Sequence, residues 1–537
     1  MAYSQSWLED PDAIRGILVE VYTAAWSGSA WVEVPVYVSN IGYITTDALT
    51  VFNPVITGGA QFSETLSLDG STSMSFGDIQ IDNTSGGYDE VLDSTKYVWV
   101  NRPIKVYLGD PRWICANLAA IRTTFELVFD GVVADVDSKS RETLNIRVRD
   151  KLERLNTPLT EDTLGTYGSW GSGQTNQESI KPLIFGEVFN IEPLYVDPAN
   201  LEYMFNNGNS ELVIELRDNG VPIYTHNGTS VTLNDGNTIY TSTGKIRLGR
   251  ALAGTLTMSA QGVKNSIDLS SYNSTYSAYC GTGALVSGTY SNNIANLIAL
   301  IVTQYGKSTT RLSAPDLDLV NLAAFASSNT QSVGTSITDR SNTLTVCQEL
   351  ATSIGAQLFM TRKGQLQLLR LGVPTTDASV TITDRDILHH SLSISNKVEV
   401  TAATTLSYCK NWTLQSSLLT MIPEQHKTMF ANDTVPKTVE DPTVKTLYKL
   451  DALPVVKDTM LIIGSEATTE ATRLNNYFKT PRKVYKFTGF PKLMSLKLGQ
   501  PVVLQHNRFG LSSGVSGQVI SLAPNWLTST IEIEVIV

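Results

Sequence analysis

Cysteine and histidine are scarce in this chain of 537 residues. The four cysteines, Cys115, Cys280, Cys347 and Cys409, stand far apart. No two have the spacing of a zinc site, and so few in so long a chain do not make a disulfide framework. The five histidines are His226, His389, His390, His426 and His506, and no His-Glu-x-x-His occurs. Charged residues reach only 17%, and the formal net charge is −11. That balance argues against a basic stripe for gripping nucleic acid. No stretch reaches the ~18–20 consecutive apolar residues needed to span a bilayer. The opening MAYSQSWLEDPD has no basic start followed by an apolar core, so no secretory signal is expected. These absences point to a soluble product made in a cytoplasm.

Apolar residues make up 42% of the chain, enough for packed cores, and the length asks for about three to five domains. Period-two alternation dominates the first part. Ile17, Val19 and Val21 alternate with Leu18, Glu20 and Tyr22. Val32, Val34, Val36 and Val38 do the same around Pro35, which lacks an amide donor and places that strand at a sheet edge. Ile104, Val106, Leu108 and then Leu144, Ile146, Val148 repeat the pattern. The Leu159 to Glu178 stretch, rich in Gly, Ser and Thr, reads as a long exposed loop. Asn219-Gly220, between Val213–Arg217 and Val221–Thr225, is a tight-turn signal.

Two helices stand out by spacing. Ile294, Leu297, Ile298, Ile301 and Tyr305 share one face, with Asn292 or Asn293 as cap and Gly306 as stop. Leu344, Cys347, Leu350, Ala351 and Ile354 share another, ended by Gly355 and followed by a hairpin through Arg362-Lys363-Gly364. From about Val380 onward the chain reads as β, with one helical interval at Ser465 to Phe478 and a last strand at Thr530 to Val537. The expected fold class is therefore mainly β and multi-domain. Expected boundaries are 1–160, a first β unit with N-terminal strands; 161–290, an inserted β domain with a flexible loop; 291–375, an α/β domain; and 376–537, a second β unit with one helix.

Sites for chemistry are hard to find. His389-His390 beside Asp384 and Asp386 is the best metal candidate, yet adjacent residues on a strand face opposite ways. Gly510 to Gly514 spells the letters of a nucleophile elbow around Ser512, but no histidine follows it. Gly306-Lys307-Ser308 echoes a phosphate loop without its first glycine, and it follows a helix instead of opening one. Gly168, Gly171 and Gly173 lack the flanking strand and helix of a dinucleotide loop. Asp135 and Asp137 read as acids on a wet sheet face, and Asp316-Leu317-Asp318 is too sparse for a calcium loop. Trp99, Tyr107, Trp412 and Trp526 divide between core and partner anchors. The reading assigns no catalytic residue, no metal site, no cofactor and no enzymatic activity.

Four segments, in order, carry a resemblance: Phe76 to Asp110, Phe125 to Pro158, Lys181 to Pro193 and Lys497 to Gly517. Within them stand Ile79-Gln80-Ile81-Asp82-Asn83, Phe129-Asp130-Gly131, Pro182 to Gly186, and a Leu-x-x-Gly-x-x-Val element at Leu496 to Val502. Together with the Leu344 to Leu371 helix and hairpin, they resemble the hub proteins at the tip or baseplate of bacteriophage tails. That family implies two barrel-like hub domains with an inserted β domain and an α/β domain between them. It implies a homotrimer whose two similar barrels per chain build a six-part ring, with Phe76 to Asp110 and Leu496 to Val519 as ring-forming segments. It implies a distal tail ring protein, a tape-measure protein and tip or fibre proteins as partners, and genomic DNA in transit without sequence-specific binding. The implied place is the virion's tail tip. Longer relatives carry fibre or hydrolase regions, so receptor binding is expected of a separate protein. The competing expectation is a tail-associated carbohydrate-processing or carbohydrate-binding protein.

Overall fold

Strands take 41% and helices 19% of the computed structural model, which makes the chain mainly β as expected. It describes residues 4–10, 12–67, 76–166, 176–226, 236–274, 277–373, 380–450, 454 and 456–537. One 16-stranded sheet joins the first and last parts of the sequence, and smaller sheets and helices lie between.

Twelve strands of the large sheet fall into two sets of six. The first set is β1 (Gly16–Trp26), β2 (Ile56–Thr65), β3 (Phe76–Asp82), β4 (Pro103–Gly109), β5 (Glu126–Ser140) and β6 (Thr143–Arg149). The second is β7 (Val380–Ile382), β8 (Ser393–Val398), β9 (Arg482–Gly489), β10 (Pro501–Leu504), β11 (Val515–Asn525) and β12 (Thr530–Ile536). Pairing in the first runs β2-β3-β6-β5-β4-β1, and in the second β8-β9-β12-β11-β10-β7. The order is the same, strand for strand. One difference remains: β1 lies antiparallel to β4, whereas β7 lies parallel to β10.

The match extends to single residues. In β5 the register with β6 skips Ala134, between Val133 and Asp135. In β11 the register with β12 skips Ile520, between Val519 and Ser521. Val133 donates its amide to the Arg102 carbonyl and accepts from the Asn101 amide, at 2.9 and 2.8 Å. Val519 does the same with Gln500 and Gly499, at 3.0 and 2.8 Å. Asn101 and Gly499 are both left-handed, with φ of 62° and 75°. Two residues before each of these valines stands a glycine where a side chain has no room. A Cβ on Gly131 would meet the Arg149 carbonyl oxygen at 2.4 Å, and one on Gly517 would meet Val535 Cγ1 at 2.6 Å. The chain thus carries one six-strand unit twice, with a shared bulge.

The two units are zipped together through β2 and β11, which pair antiparallel at Ser521↔Thr65, Leu522↔Glu64 and Asn525↔Gln61. A single apolar core runs behind both, from Ile17, Phe62, Ile79 and Phe129 to Ile382, Phe487, Val519 and Ile533. Alternation explains it, because the inward residues of every strand face this core. Among the described residues no pairing joins β1 to β2 or β7 to β8, so neither unit closes into a barrel.

Between the units sit two further cores. Leu183–Ile191, Ser210–Asp218, Val221–Thr225 and Leu256–Val263 form a sheet that also takes in Gly334–Ile337. Its hairpin turns at Asn219 and Gly220, both with positive φ, as the sequence foretold. The other core surrounds α1 (Ile294–Gln304), α2 (Leu319–Ser328) and α3 (Thr343–Thr352). Asn293 caps α1 and Asn342 caps α3. Every residue of α1 from Ile294 to Val302 is buried apart from Asn296.

Several expectations need correction. Among its described residues the last part holds three α-helices, not one helix: Glu424–Ala431, Pro442–Tyr448 and α4 (Gly464–Phe478). The first two are short, so their periodicity is faint, but Pro423 and the Asp441-Pro442 cap mark their starts. Ser465 lies inside α4 and does not cap it. The stretch after Leu159 is not wholly exposed, since Leu159, Thr160 and Leu164 are buried. Gly168, Gly171 and Gly173 lie outside the described residues.

Candidate assembly surfaces

The residues singled out for chemistry do not converge. Among the described residues no group of three His, Cys, Asp or Glu side chains is placed to hold a metal. His389 and His390 lie in a turn, not on a strand, and their rings touch at 3.8 Å between centroids. Asp386 faces away from such a role. It is buried and accepts from the Thr383 amide and hydroxyl at 2.9 and 2.8 Å and from Lys492 at 3.0 Å. Burial alone would raise its carboxyl, but these donors outweigh burial and hold it below the ordinary range. Asp384 is not in that cluster.

Ser512 sits in the turn between β10 and β11, with no helix after it. Lys307 and Ser308 follow α1 in a turn. Asp316 bonds Lys151 and Ser313, and Asp318 caps α2. Asp137 pairs with Arg147, and Asp135 is exposed beside it. All four cysteines are free thiols, and burial pushes the Cys347 thiol far up.

The four aromatics divide unevenly. Trp99, Tyr107 and Trp526 are buried. Trp412 is half-buried under Lys410, whose ammonium lies 4.2 Å from the ring centroid. The exposed aromatics are others. Trp26 and Trp31, 45% and 47% exposed, close the hairpin between β1 and the strand Trp31–Ser39 with rings 5.5 Å apart. Val32, Val34, Val98 and Val100 extend this apolar tip. Alternation along Val32 to Val38 implied one buried face, whereas residues 31–35 are exposed on both. The turn Ser27-Gly28-Ser29 between two tryptophans was the signal that could have shown it.

The inserted body is fastened to the large sheet by charges. Glu64 on β2 is buried, and Arg362 reaches it with its amide at 2.5 Å and its Nε at 3.1 Å. Burial lifts the Glu64 carboxyl above its ordinary range, although Arg362 pulls it back. Lys151 bridges Asp130 and Asp316, each at 2.9 Å. Gln357 exchanges two hydrogen bonds with the Ser67 backbone. Away from the large sheet, Arg370 and Arg473 both bond the buried Glu470 of α4. A cavity of about 350 Å³ lies at the first of these joints, lined by Glu64, Phe359, Arg362, Met494 and Trp526 among others.

The free edges matter for assembly. β8 ends the large sheet and pairs only with β9 among the described residues, and its residues are exposed or half-buried. On β5, the side beyond Val133 that faces away from β6 pairs with no strand among the described residues.

No family model matches the chain, and no curated protein matches it. Solved structures do. The 43 kDa tail protein of prophage MuSo2 from Shewanella oneidensis has 8% identity over 97% of this chain and 98% of its own, with a TM-score of 0.37. A tail protein from Neisseria meningitidis MC58 has 8% identity over 97% and 96%, with a TM-score of 0.37. A chain of the virion of a native gene transfer agent particle has 11% identity over 72% and 91%, with a TM-score of 0.41.

Proposed function

We propose that this chain is a structural protein of a phage tail, acting as the ring-forming hub of its tip or baseplate. The duplication carries the reading. Each chain holds two six-strand units with the same pairing order and the same bulge, already joined edge to edge. Three chains supply six such units. A head-to-tail contact that repeats the internal joint closes a ring when the rotation fits, and closure leaves no bare sheet edge. The resemblance in the sequence supports the same reading.

The proposed role is mechanical. The ring links the tail tube and its distal ring to tip or fibre proteins, closes the tube, and later lets DNA leave through its centre. Trp26, Trp31 and their neighbours are offered to the adjoining proteins. No catalytic step is assigned.

Cryo-electron microscopy of intact particles tests this. The expected density is three copies around the tail axis at the distal end, with twelve-strand sheets forming the collar. Copies found along the tube wall, or on the capsid, overturn it.

A further inference from the structure

We propose that β8 of one copy adds to the outer side of β5 in a second copy, antiparallel, with Lys397 opposite Val136 and Val398 opposite Asp135. The inference rests on the ring reading and assigns the contact that closes it. The internal joint is the template. There β2 meets β11, with Glu64 opposite Leu522 and Thr65 opposite Ser521. The hydroxyls of Thr65 and Ser521 lie 3.0 Å apart, and the Leu66 amide donates to the carbonyl of the bulged Ile520 at 2.7 Å.

Position by position, β5 matches β11 and β8 matches β2. The skipped residues align Ala134 with Ile520, Asp135 with Ser521 and Val136 with Leu522. On the other strand, Phe62 stands opposite Gly77 and Ile394 opposite Tyr485. Gly77 and Tyr485 face Val148 and Val535, which are themselves equivalent. β8 skips Ser395, so Asn396 matches Ser63, Lys397 matches Glu64 and Val398 matches Thr65. Carrying the template across sets the register above and brings the Glu399 amide to the Ala134 carbonyl.

Burial supports the assignment. In the occupied joint, Glu64, Leu522, Ala523 and Pro524 are buried. In the vacant one, Asp135, Ser138, Ser393, Asn396 and Lys397 are exposed, while Val136 and Val398 are half-buried. One half of each strand pair is thus already built twice, yet covered once. The second copy is the occupant because it carries, in β8, the counterpart of the strand that fills the internal joint.

Disulfide trapping decides the matter. Directly opposed residues in antiparallel strands bring Cα atoms within the span of a disulfide. The full-length chain carrying Lys397→Cys with Val136→Cys is oxidised and run on a non-reducing denaturing gel, beside the parent chain. Val398→Cys with Asp135→Cys is a second pair, in case the first variant misfolds. Lys397→Cys with Ser140→Cys is the offset control. The expected result is a ladder of linked dimers and trimers that stops at three for either opposed pair, with none for the control or the parent. No ladder from the opposed pairs, or an equal ladder from the control, overturns the contact. Native mass measurement of the parent separates the two claims. A trimer without a ladder leaves the ring reading standing and removes this contact, and a monomer without a ladder removes both.

Discussion

Two glycines and one carboxylate show how closely the fold is tuned at the residue scale. Gly131 and Gly517 hold equivalent places where neighbouring strands approach too closely for a Cβ. Gly131→Ala and Gly517→Ala are each expected to lower stability by about 1–3 kcal/mol, read as a lower urea midpoint. Glu64 offers a pH test. Its folded-state value lies above the unfolded one. Its contribution to stability is therefore complete below the ordinary carboxylate range, and it is lost as pH rises through the raised value. Urea midpoints measured against pH should fall across that window in the parent and lose this component in Glu64→Gln. An unchanged slope in the variant would place the titration elsewhere. Arg362→Met is expected to be worse than Glu64→Gln, by about 3–5 kcal/mol relative to the parent, because it strands a buried charge. The sequence shows neither glycine's purpose nor the Glu64–Arg362 pair, since the partners stand far apart along the chain and meet only through the sheet.

Helices and tight turns were the elements most legible in the sequence. Asn293, one of the two caps the spacing offered, caps α1, and Asn342 caps α3, a role the sequence reading did not assign. Asn293 also donates to the Ala326 and Asn329 carbonyls, at 3.1 and 2.9 Å. Asn293→Ala should therefore cost about 1–2 kcal/mol in chemical denaturation, at the upper end for a lost cap. α2 was missed although Asp318, Leu319, Leu322 and Phe325 carry its signal. Strands were visible through alternation, but their partners were not, because alternation sets a face and never names a neighbour. The exposed hairpin shows this limit. Val32 and Val34 read as inward, yet residues 31–35 are all exposed. Trp26→Ser with Trp31→Ser should leave the melting temperature nearly unchanged while lowering incorporation into particles, measured by immunoblot of purified virions.

At the scale of the whole molecule, composition and periodicity do not reveal the repeated unit; only the family resemblance implied two similar units per chain. Gly131-Val132-Val133 and Gly517-Gln518-Val519 share two residues of three, and little else aligns. What the units share is held by backbone: pairing order, a skipped residue and two hydrogen bonds at the bulge. One core behind both units predicts joint behaviour. Hydrogen exchange should show β6 and β12 opening together, with similar protection, although they lie at opposite ends of the chain. Independent opening of the two would mean that the joint through β2 and β11 adds little.

That joint also has a consequence in time. Thr65 and Ser521, which meet across it, are 456 positions apart. While the ribosome is still making the middle of the protein, the receptive flank of β2 is already made and has no filler. Its proper filler emerges long after it. Such distant closure is slow. Until it happens, every nascent molecule offers a β2 flank that the outer side of a finished sibling's β5, the counterpart of β11, would fit, so the order of synthesis itself creates a window for premature cross-pairing.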